Sequence, residues 1–374
     1  MALVPLIYPP FDHWVWIIPA VLIGGCIGSF LNVVIYRVPL GLSVNNPKRS
    51  FCPTCKNQLT LLQNLPLVSW LCLRGKCAHC SAPIPYRYIA VEILTAVLFG
   101  WVWYVFPPEV VVFLWVLMSL LVAITYIDAE HLIIPTNLTW AGSVIGLIAC
   151  SVYPQLSAMA GYQFTWQEGL ISGGIGWVVG FVGLWLVVEL GKKAFGQRAM
   201  KFDSEVEWFL REPEGDLDQM CFVIDGEEIA WWNIFARKTD RLIIDATSVL
   251  VDDEETGMGQ LIIRETGIEL ADGRLFELEK MVSLRGRATS LVIPREAMGM
   301  GDVHLLAMIG AFFGWTGVFF SLFGASLFAI VAALIGRIGF GKQLPFGPFI
   351  AMGAVAWMFG GWQIWRMYLD FLGL

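Results

Sequence analysis

The sequence predicts a polytopic α-helical membrane protein with about eight transmembrane helices, a cysteine-stapled cytoplasmic loop and a mainly β cytoplasmic insertion. Three observations lead there. Apolar residues make up 57% of the chain and the mean hydropathy is +0.67, too apolar for an ordinary soluble protein. These residues gather into runs close to the ~20 that carry a helix across a hydrocarbon core. Lys and Arg keep to alternate loops: residues 37–87 hold seven, 191–301 hold 14 and 337–342 hold two, while the loops near Pro107 and from Pro154 to Glu168 hold none. Basic loops stay in the cytoplasm, so an even number of spans is expected, with both ends on the far side and only Arg366 against the trend.

The eight runs cover 14–36, 88–106, 110–127, 135–153, 169–190, 303–313, 316–338 and 349–369. They divide the chain into a first helix (1–36), a cytoplasmic loop (37–87), helices two to five (88–190), an inserted cytoplasmic domain (191–298) and a final part with three helices (299–374). Met1 to His13 carries no Lys or Arg, so the first run is expected to remain as a span rather than leave as a signal peptide. The net charge of minus 7 belongs to the insertion, where residues 191–301 carry 22 acidic against 14 basic side chains.

Taken in order, the first run holds Asn32, a polar group that either bonds across to a neighbouring helix or has a direct chemical role. The loop after it contains Cys52-Pro-Thr-Cys55 and, after 21 intervening residues, Cys77-Ala-His-Cys80. Two such knuckles read as a tetrahedral zinc site in a reducing compartment, a structural staple with four thiolate ligands. A pair of redox dithiols is the rival reading, but nothing nearby resembles a thioredoxin unit. His79 and Cys72 are secondary candidates as ligands. Cys26 and Cys150 lie in apolar runs as small hydrophobes, and Cys221 has no evident role.

Glu92 opens the second span. It either answers the helix dipole or, as a functional group, stands near other carboxylates or binds a cationic ligand. Asp128 closes the third run, followed by Glu130 and His131, read as solvated turn residues. The fifth run carries six glycines, Gly169, Gly173, Gly174, Gly176, Gly180 and Gly183, a pattern for close helix packing.

Residues 197–290 change material. They are charged, and short apolar runs at 242–246, 260–264 and 290–293 are separated by turn signals such as Asp272-Gly273, which reads as a small β domain. Gly257 to Gln260 (GMGQ) imitates the motif described next but lies among charges and is expected to be inert. Trp231 and Trp232 are read as core residues.

Gly299-Met-Gly-Asp302 stands at the threshold of the sixth run. Asp302 serves either as the N-cap of the following helix or as a partner for Asp128, which the topology places at the same membrane face. Two facing carboxylates can share a proton, one acting as base and the other as acid. That is the minimum equipment of an aspartic protease. Leu344-Pro-Phe-Gly-Pro-Phe349, before the last run, is a rigid turn that either starts a helix or helps to position a substrate.

The motifs GSFLNVVIYRVP (28–39), the two Cys-x-x-Cys pairs, RYIAVEILT (87–95), IDAEHLIIP (127–135), GMGDVHLLAMIGAFFG (299–314) and PFGPF (345–349) occur in one order across eight runs. Together they resemble the prepilin peptidase family, the bifunctional leader peptidases and N-methyltransferases of type IV pili and type II secretion. The resemblance implies a bacterial inner-membrane enzyme that works at the cytoplasmic face. It would remove the basic leader of type IV prepilins or pseudopilins after Gly and before a Phe-like residue. It would then methylate the new N-terminus with S-adenosylmethionine. By position, Asp128 and Asp302 become the catalytic pair, and Cys52, Cys55, Cys77 and Cys80 the zinc ligands. Glu92 is the candidate toward the methyl donor. The family usually has a short link before Gly-x-Gly-Asp, whereas here about 95 extra residues fill it, a surface for regulation or for a secretion or pilus-assembly partner. The partners expected are the precursors and the bilayer, with no nucleic acid.

Two other functions stand beside this one. A peptidase without methylation would leave an unmethylated mature N-terminus. A transporter or scaffold would use the two aspartates for a proton or cation, but such proteins tend to carry repeated halves, and no internal repeat is visible.

Overall fold

The computed structural model describes residues 14–47, 50–52, 54–60, 63, 65–158, 165–195, 197–212, 220–235, 240–294, 299–336 and 344–372. They fall into two compact units, Met1–Trp185 with Gly299–Leu374, and Leu186–Met298.

The first unit is helical. It comprises α1 (Ile17–Arg37), the short α2 (Val68–Cys72), α3 (Tyr86–Val105), α4 (Pro108–His131), α5 (Thr136–Val152), a single turn α6 (Gln155–Ala158) and α7 (Trp166–Phe195), which runs past the boundary between the units. Among the described residues five helices are long and apolar enough to cross a membrane: Trp14–Arg37, Tyr86–Val105, Pro108–His131, Trp166–Gly191 and Met300–Ile335; Thr136–Val152 is apolar but shorter. Their outward faces remain greasy, with Leu22, Val97, Val112, Ile175 and Phe323 exposed. A surface like this belongs in lipid, and the protein is a multi-pass membrane protein.

Glycines set how close these helices come. A Cβ at Gly24 would lie 2.8 Å from the Ala96 Cα, and one at Gly28 would lie 2.7 Å from the Glu92 Cα. This Gly-x-x-x-Gly pair lets α1 lie backbone to backbone on α3, a signal that the reading of Asn32 passed over. The glycine-rich α7 does the same against Met300–Ile335: a Cβ at Gly176 would stand 2.2 Å from the Gly310 carbonyl, and one at Gly180 would stand 2.7 Å from that of Leu306.

The second unit begins with β1 (Gln197–Arg211), β2 (Cys221–Ile224), β3 (Glu227–Ala230) and the turn α8 (Trp231–Ile234). It continues with β4 (Leu242–Val251), β5 (Glu254–Arg264), β6 (Gly267–Glu269), β7 (Leu275–Glu277) and β8 (Leu284–Pro294). These strands form one sheet of order β3-β2-β1-β8-β4-β5-β6-β7. Every pairing is antiparallel. Its core gathers Trp208, Phe222, Ile244, Val249, Ile263 and Leu291, with Trp231 packed against it; the Trp232 side chain lies outside the described residues. The GMGQ segment falls in β5, where Gly257 (φ +141°) and Gly259 (φ +118°) accommodate register shifts against β4. Its glycines serve an irregular strand.

After the second unit the chain returns to α9 (Met300–Ile335), α10 (Gly347–Ala356) and α11 (Trp362–Leu372), the last two joined by a π turn at Trp357–Gly361. The sixth and seventh apolar runs are one element broken at Gly314, whose φ of 67° and ψ of −173° lie outside the helical region. Only glycine takes that conformation readily. A Cβ there would also meet the Ser157 carbonyl at 2.4 Å.

Candidate active site and metal centre

Asp128 and Asp302 come from helix ends far apart in sequence. α4 stops three residues beyond Asp128, and its C-cap Leu132 adopts a left-handed conformation (φ 55°). The Leu132 N–H bonds the Asp128 carbonyl at 2.9 Å. This leaves Asp128 in the last turn and sends the chain into the link 132–135. Asp302 occupies the first turn of α9. The N-cap of that helix is Gly299, so of the two readings of Asp302 the N-cap one is corrected: the acid is the third residue of the helix. Its carboxylate turns back toward the Gly299 backbone N–H, the direction a capping-box side chain takes.

Ile134, in the link, holds the two ends together. A Cβ at Gly301 would stand 2.7 Å from the Ile134 Cβ, and one at Gly347 would stand 3.0 Å from the Ile134 Cδ1. The second glycine of Gly-Met-Gly-Asp therefore exists for contact with this link, whereas Gly299 meets nothing closer than 3.9 Å. The Pro-Phe-Gly-Pro turn supplies the fourth wall. The Gly347 N–H donates to Asp128 Oδ2 at 3.0 Å, and a Cβ on that glycine would lie 2.7 Å from the same oxygen.

Both carboxyl groups are buried, Asp128 to 5% and Asp302 to 8% exposure. They lie near enough to interact electrostatically. Asp302 Oδ1 has no hydrogen-bond partner in the protein. A buried acceptor without a partner is costly, on the order of 1–3 kcal/mol. It marks a place where a further donor, water or a reacting group, belongs. Glu130 and His131 are exposed beside the site, and Glu130 pairs with Arg87.

The four cysteines converge as the spacing suggests. One sulfur from each of Cys52, Cys55, Cys77 and Cys80 lies within 4.8 Å of the others. Among the described residues Cys72 and His79 supply no ligand atom to this group. The two knuckles are built alike. Cys52 N–H bonds the Asn57 carbonyl at 2.9 Å and Cys77 N–H bonds that of Ala82 at 2.8 Å. Each turn closes through a left-handed residue, Lys56 (φ 60°) or Ser81 (φ 57°). Hydrogen bonds, first from the Cys55 backbone N–H, hold the Cys52 thiol down to about 6 against its burial. At Cys80 the Ala82 N–H pulls downward, but desolvation and hydrogen bonding to Cys77, Cys55 and Cys52 outweigh it and push the thiol up to about 11. Four thiols this close do not all ionise without a cation among them, so the donor set fits a soft divalent metal such as zinc.

Glu92 stands in a different wall. It is buried, and its Oε2 accepts the Leu67 N–H at 2.7 Å, tying the segment before α2 to α3. It lines a cavity of about 170 Å³ between α1, α3 and the cysteine loop, together with Asn32, Tyr36, Trp70 and Tyr88. Trp70 and the direct grip of Gly347 on Asp128 were missed in the sequence. Only the Pro-Phe-Gly-Pro turn gave a hint of the second.

Comparison with known proteins agrees with this layout. Residues 22–106 match the model of the bacterial peptidase A24 N-terminal domain. Residues 115–200 and 273–334 match that of the type IV leader peptidase family. A prepilin leader peptidase/N-methyltransferase of Klebsiella pneumoniae is 37% identical over 158 residues, 38% of this chain and 69% of that protein. The chain belongs to the type IV leader peptidase family. Both aspartates lie within the leader peptidase match, which is interrupted between residues 200 and 273. The like-named protein of Myxococcus xanthus is 38% identical over 185 residues, 48% of this chain, and the match spans half of that relative's length. That of Pseudomonas aeruginosa is 27% identical over 387 residues, 96% of this chain and 95% of its own. No solved structure matches significantly.

Proposed function

We propose that this protein is an intramembrane aspartic endopeptidase that removes the basic leader of type IV prepilins or pseudopilins after Gly and before a Phe-like residue, then N-methylates the new N-terminus. The observation that carries the peptidase is the meeting of Asp128 and Asp302 in one buried site, with Asp302 Oδ1 unpartnered. One carboxylate takes a proton from water as the water attacks the scissile carbonyl, and the other donates a hydrogen bond to the developing oxyanion. The pair holds its proton jointly, so neither role belongs to one residue alone. Gly347 fixes Asp128 through its N–H, and Ile134 keeps the two helix ends in register.

The reading includes a topology. Counting α9 as two crossings about Gly314, and α10 with α11 as one, gives eight spans. The Lys and Arg distribution then puts both aspartates at the cytoplasmic face of a bacterial inner membrane. A precursor's apolar helix enters sideways from lipid, with its basic leader left in the cytoplasm beside the dyad. Zinc held by Cys52, Cys55, Cys77 and Cys80 staples the loop and takes no part in cleavage. S-adenosylmethionine, when bound, supplies an electrophilic methyl group to the freed amine. The inserted domain is a surface for regulation or for a secretion or pilus-assembly partner. The proposal is tested by co-expressing a pilin-like precursor with the protein: mature chains one methyl heavier are expected, and unmethylated mature chains would confine the activity to the peptidase.

A further inference from the structure

We propose that α11 does not cross the membrane but lies flat in it, its apolar stripe sunk into the lipid of the face opposite Asp128. The partner of this surface is the bilayer's own interface. The inference needs only that the chain is a multi-pass membrane protein and stands apart from its reading as a peptidase.

The level at which α11 begins comes from aromatic contacts. α4 is a ruler: its 24 residues rise about 36 Å, with Asp128 near one end and Pro108 at the other. Phe106, which leads into Pro108, meets Phe359 of the π turn with ring centroids 6.1 Å apart, and Trp101 stacks on the same ring at 4.0 Å. The chain has therefore reached the end of the bundle opposite Asp128 before α11 starts. There the helical path breaks, because Phe359 (φ −100°, ψ 22°) and Gly360 (φ 144°, ψ −12°) both leave the helical region, so α11 takes an axis of its own. Trp365 in its first turn meets Trp315 at 6.5 Å. Trp315 follows the break at Gly314, which packs on Ser157 beyond the end of α5, so α11 stays at that same end.

The faces of α11 say how it lies there. At 100° per residue its side chains sort into three stripes. Trp362, Trp365 and Leu369 are half-buried and turn toward the protein. Gln363, Arg366 and Asp370 form an exposed polar stripe along the whole helix. Ile364, Met367, Tyr368, Phe371 and Leu372, spaced i, i+3, i+4, i+7 and i+8, are all exposed, Phe371 to 87%. Standing upright in hydrocarbon, α11 would carry both Arg366 and Asp370 into lipid; standing out in water, it would expose five large apolar side chains. Lying in the interface satisfies both stripes at once. Its 11 residues also reach only about 16 Å, half of a ~30 Å hydrocarbon core.

Continuity identifies the occupant as lipid. Trp315, which Trp365 touches, also meets Phe319 at 6.1 Å, and Phe319 and Phe323 belong to the exposed greasy side of α9. The stripe of α11 thus extends a surface already in lipid, and Trp315, Trp362, Trp365 and Tyr368 supply the ring types that gather at a membrane–water boundary. Arg366 and Asp370 cancel in charge, so burial of apolar surface, and not attraction to anionic headgroups, holds the helix down. The last crossing then ends at the π turn, and the number of crossings is unchanged.

The test uses the full-length, zinc-loaded protein in phospholipid nanodiscs, with Cys26→Ala and Cys72→Ala removing the exposed thiols outside the metal centre. Single spin labels are attached through Gln363→Cys, Ile364→Cys, Arg366→Cys, Met367→Cys, Asp370→Cys and Phe371→Cys, all at exposed positions, and only variants with an unchanged thermal midpoint are measured. Relaxation by oxygen, which dissolves in lipid, is compared with relaxation by a water-soluble nickel chelate. The oxygen-to-nickel ratio is expected to be several-fold higher at 364, 367 and 371 than at 363, 366 and 370, with no drift in depth from one end of the helix to the other. A ratio that changes steadily from 363 to 371 would mean that α11 crosses the membrane. Nickel reaching all six labels would mean that it stands in water, and neither reagent reaching 364, 367 and 371 would mean that protein covers the stripe. Each of these three results overturns the proposal.

Discussion

Gly347 and Gly299 respond oppositely to the same substitution. At Gly347 an added Cβ would lie 2.7 Å from Asp128 Oδ2, so Gly347→Ala must shift either the Pro-Phe-Gly-Pro turn or the carboxylate. The hydrogen bond that fixes Asp128 is charge-assisted and worth ~1.5–3 kcal/mol. Cleavage is expected to fall about tenfold or more, measured as precursor processed per unit time, with zinc retained. At Gly299 the backbone is extended (φ −76°, ψ 153°) and nothing stands within 3.9 Å. Gly299→Ala is expected to cleave within about twofold of the wild type, because its N–H survives. Equal losses at both positions would mean that the turn does not hold Asp128 in the working state. Of the two glycines of Gly-Met-Gly-Asp only Gly301 makes a close approach, and the motif alone does not tell them apart, because the neighbour of Gly301, Ile134, comes from a link that no local pattern connects to it.

Among the elements, α1 against α3 and the cysteine loop are the most informative. The Gly24 and Gly28 pair allows a helix contact without interposed side chains, and Gly28→Ala would bring a methyl 2.7 Å from the Glu92 Cα. Overpacking of this kind costs about 1–3 kcal/mol. Expected is a lower thermal midpoint; an unchanged value would contradict the packing described. The loop has few apolar anchors and depends on its four sulfurs. Cys52→Ser or a strong chelator should strip about one metal per chain, read by elemental analysis, and expose residues 50–83 to proteolysis; a fully metallated Cys52→Ser protein would contradict four-cysteine ligation. The Cys spacing made this centre legible, since two short knuckles leave the sulfurs little choice of partner. The cavity behind it was not legible, because the contact of Trp70 with Tyr86 spans the second cysteine knuckle and no local pattern shows it.

On the scale of the whole molecule, the chain divides its labour between two compact units. The proposed dyad, the cysteine centre and the cavity all belong to the helical one, while the β unit has its own core around Trp208, Phe222 and Ile244. Its first and last strands pair at their outer ends, Gln197 opposite Pro294. A unit whose ends meet can be inserted into a loop and can fold alone, so residues 197–294 expressed separately are expected to unfold cooperatively, followed by circular dichroism. A gradual melt would show that the core needs the rest of the chain. Apolar runs and charge made the class of molecule plain in the sequence. Long β1 was overlooked because its charged alternation lacks a strong apolar run, whereas the break between the sixth and seventh runs was legible, since the chain leaves the helical region at Gly314.

The central claim is that Asp128 and Asp302 act as one catalytic pair. Its most direct test is mass spectrometry of a type IV pilin-like precursor produced with the wild-type protein, Asp128→Asn or Asp302→Asn. The account predicts shortened precursor with the wild type. With either variant it predicts a fall in cleavage of roughly 10²–10⁴-fold, while zinc and thermal midpoint stay in place. Cleavage at the wild-type rate by either well-folded variant would contradict it.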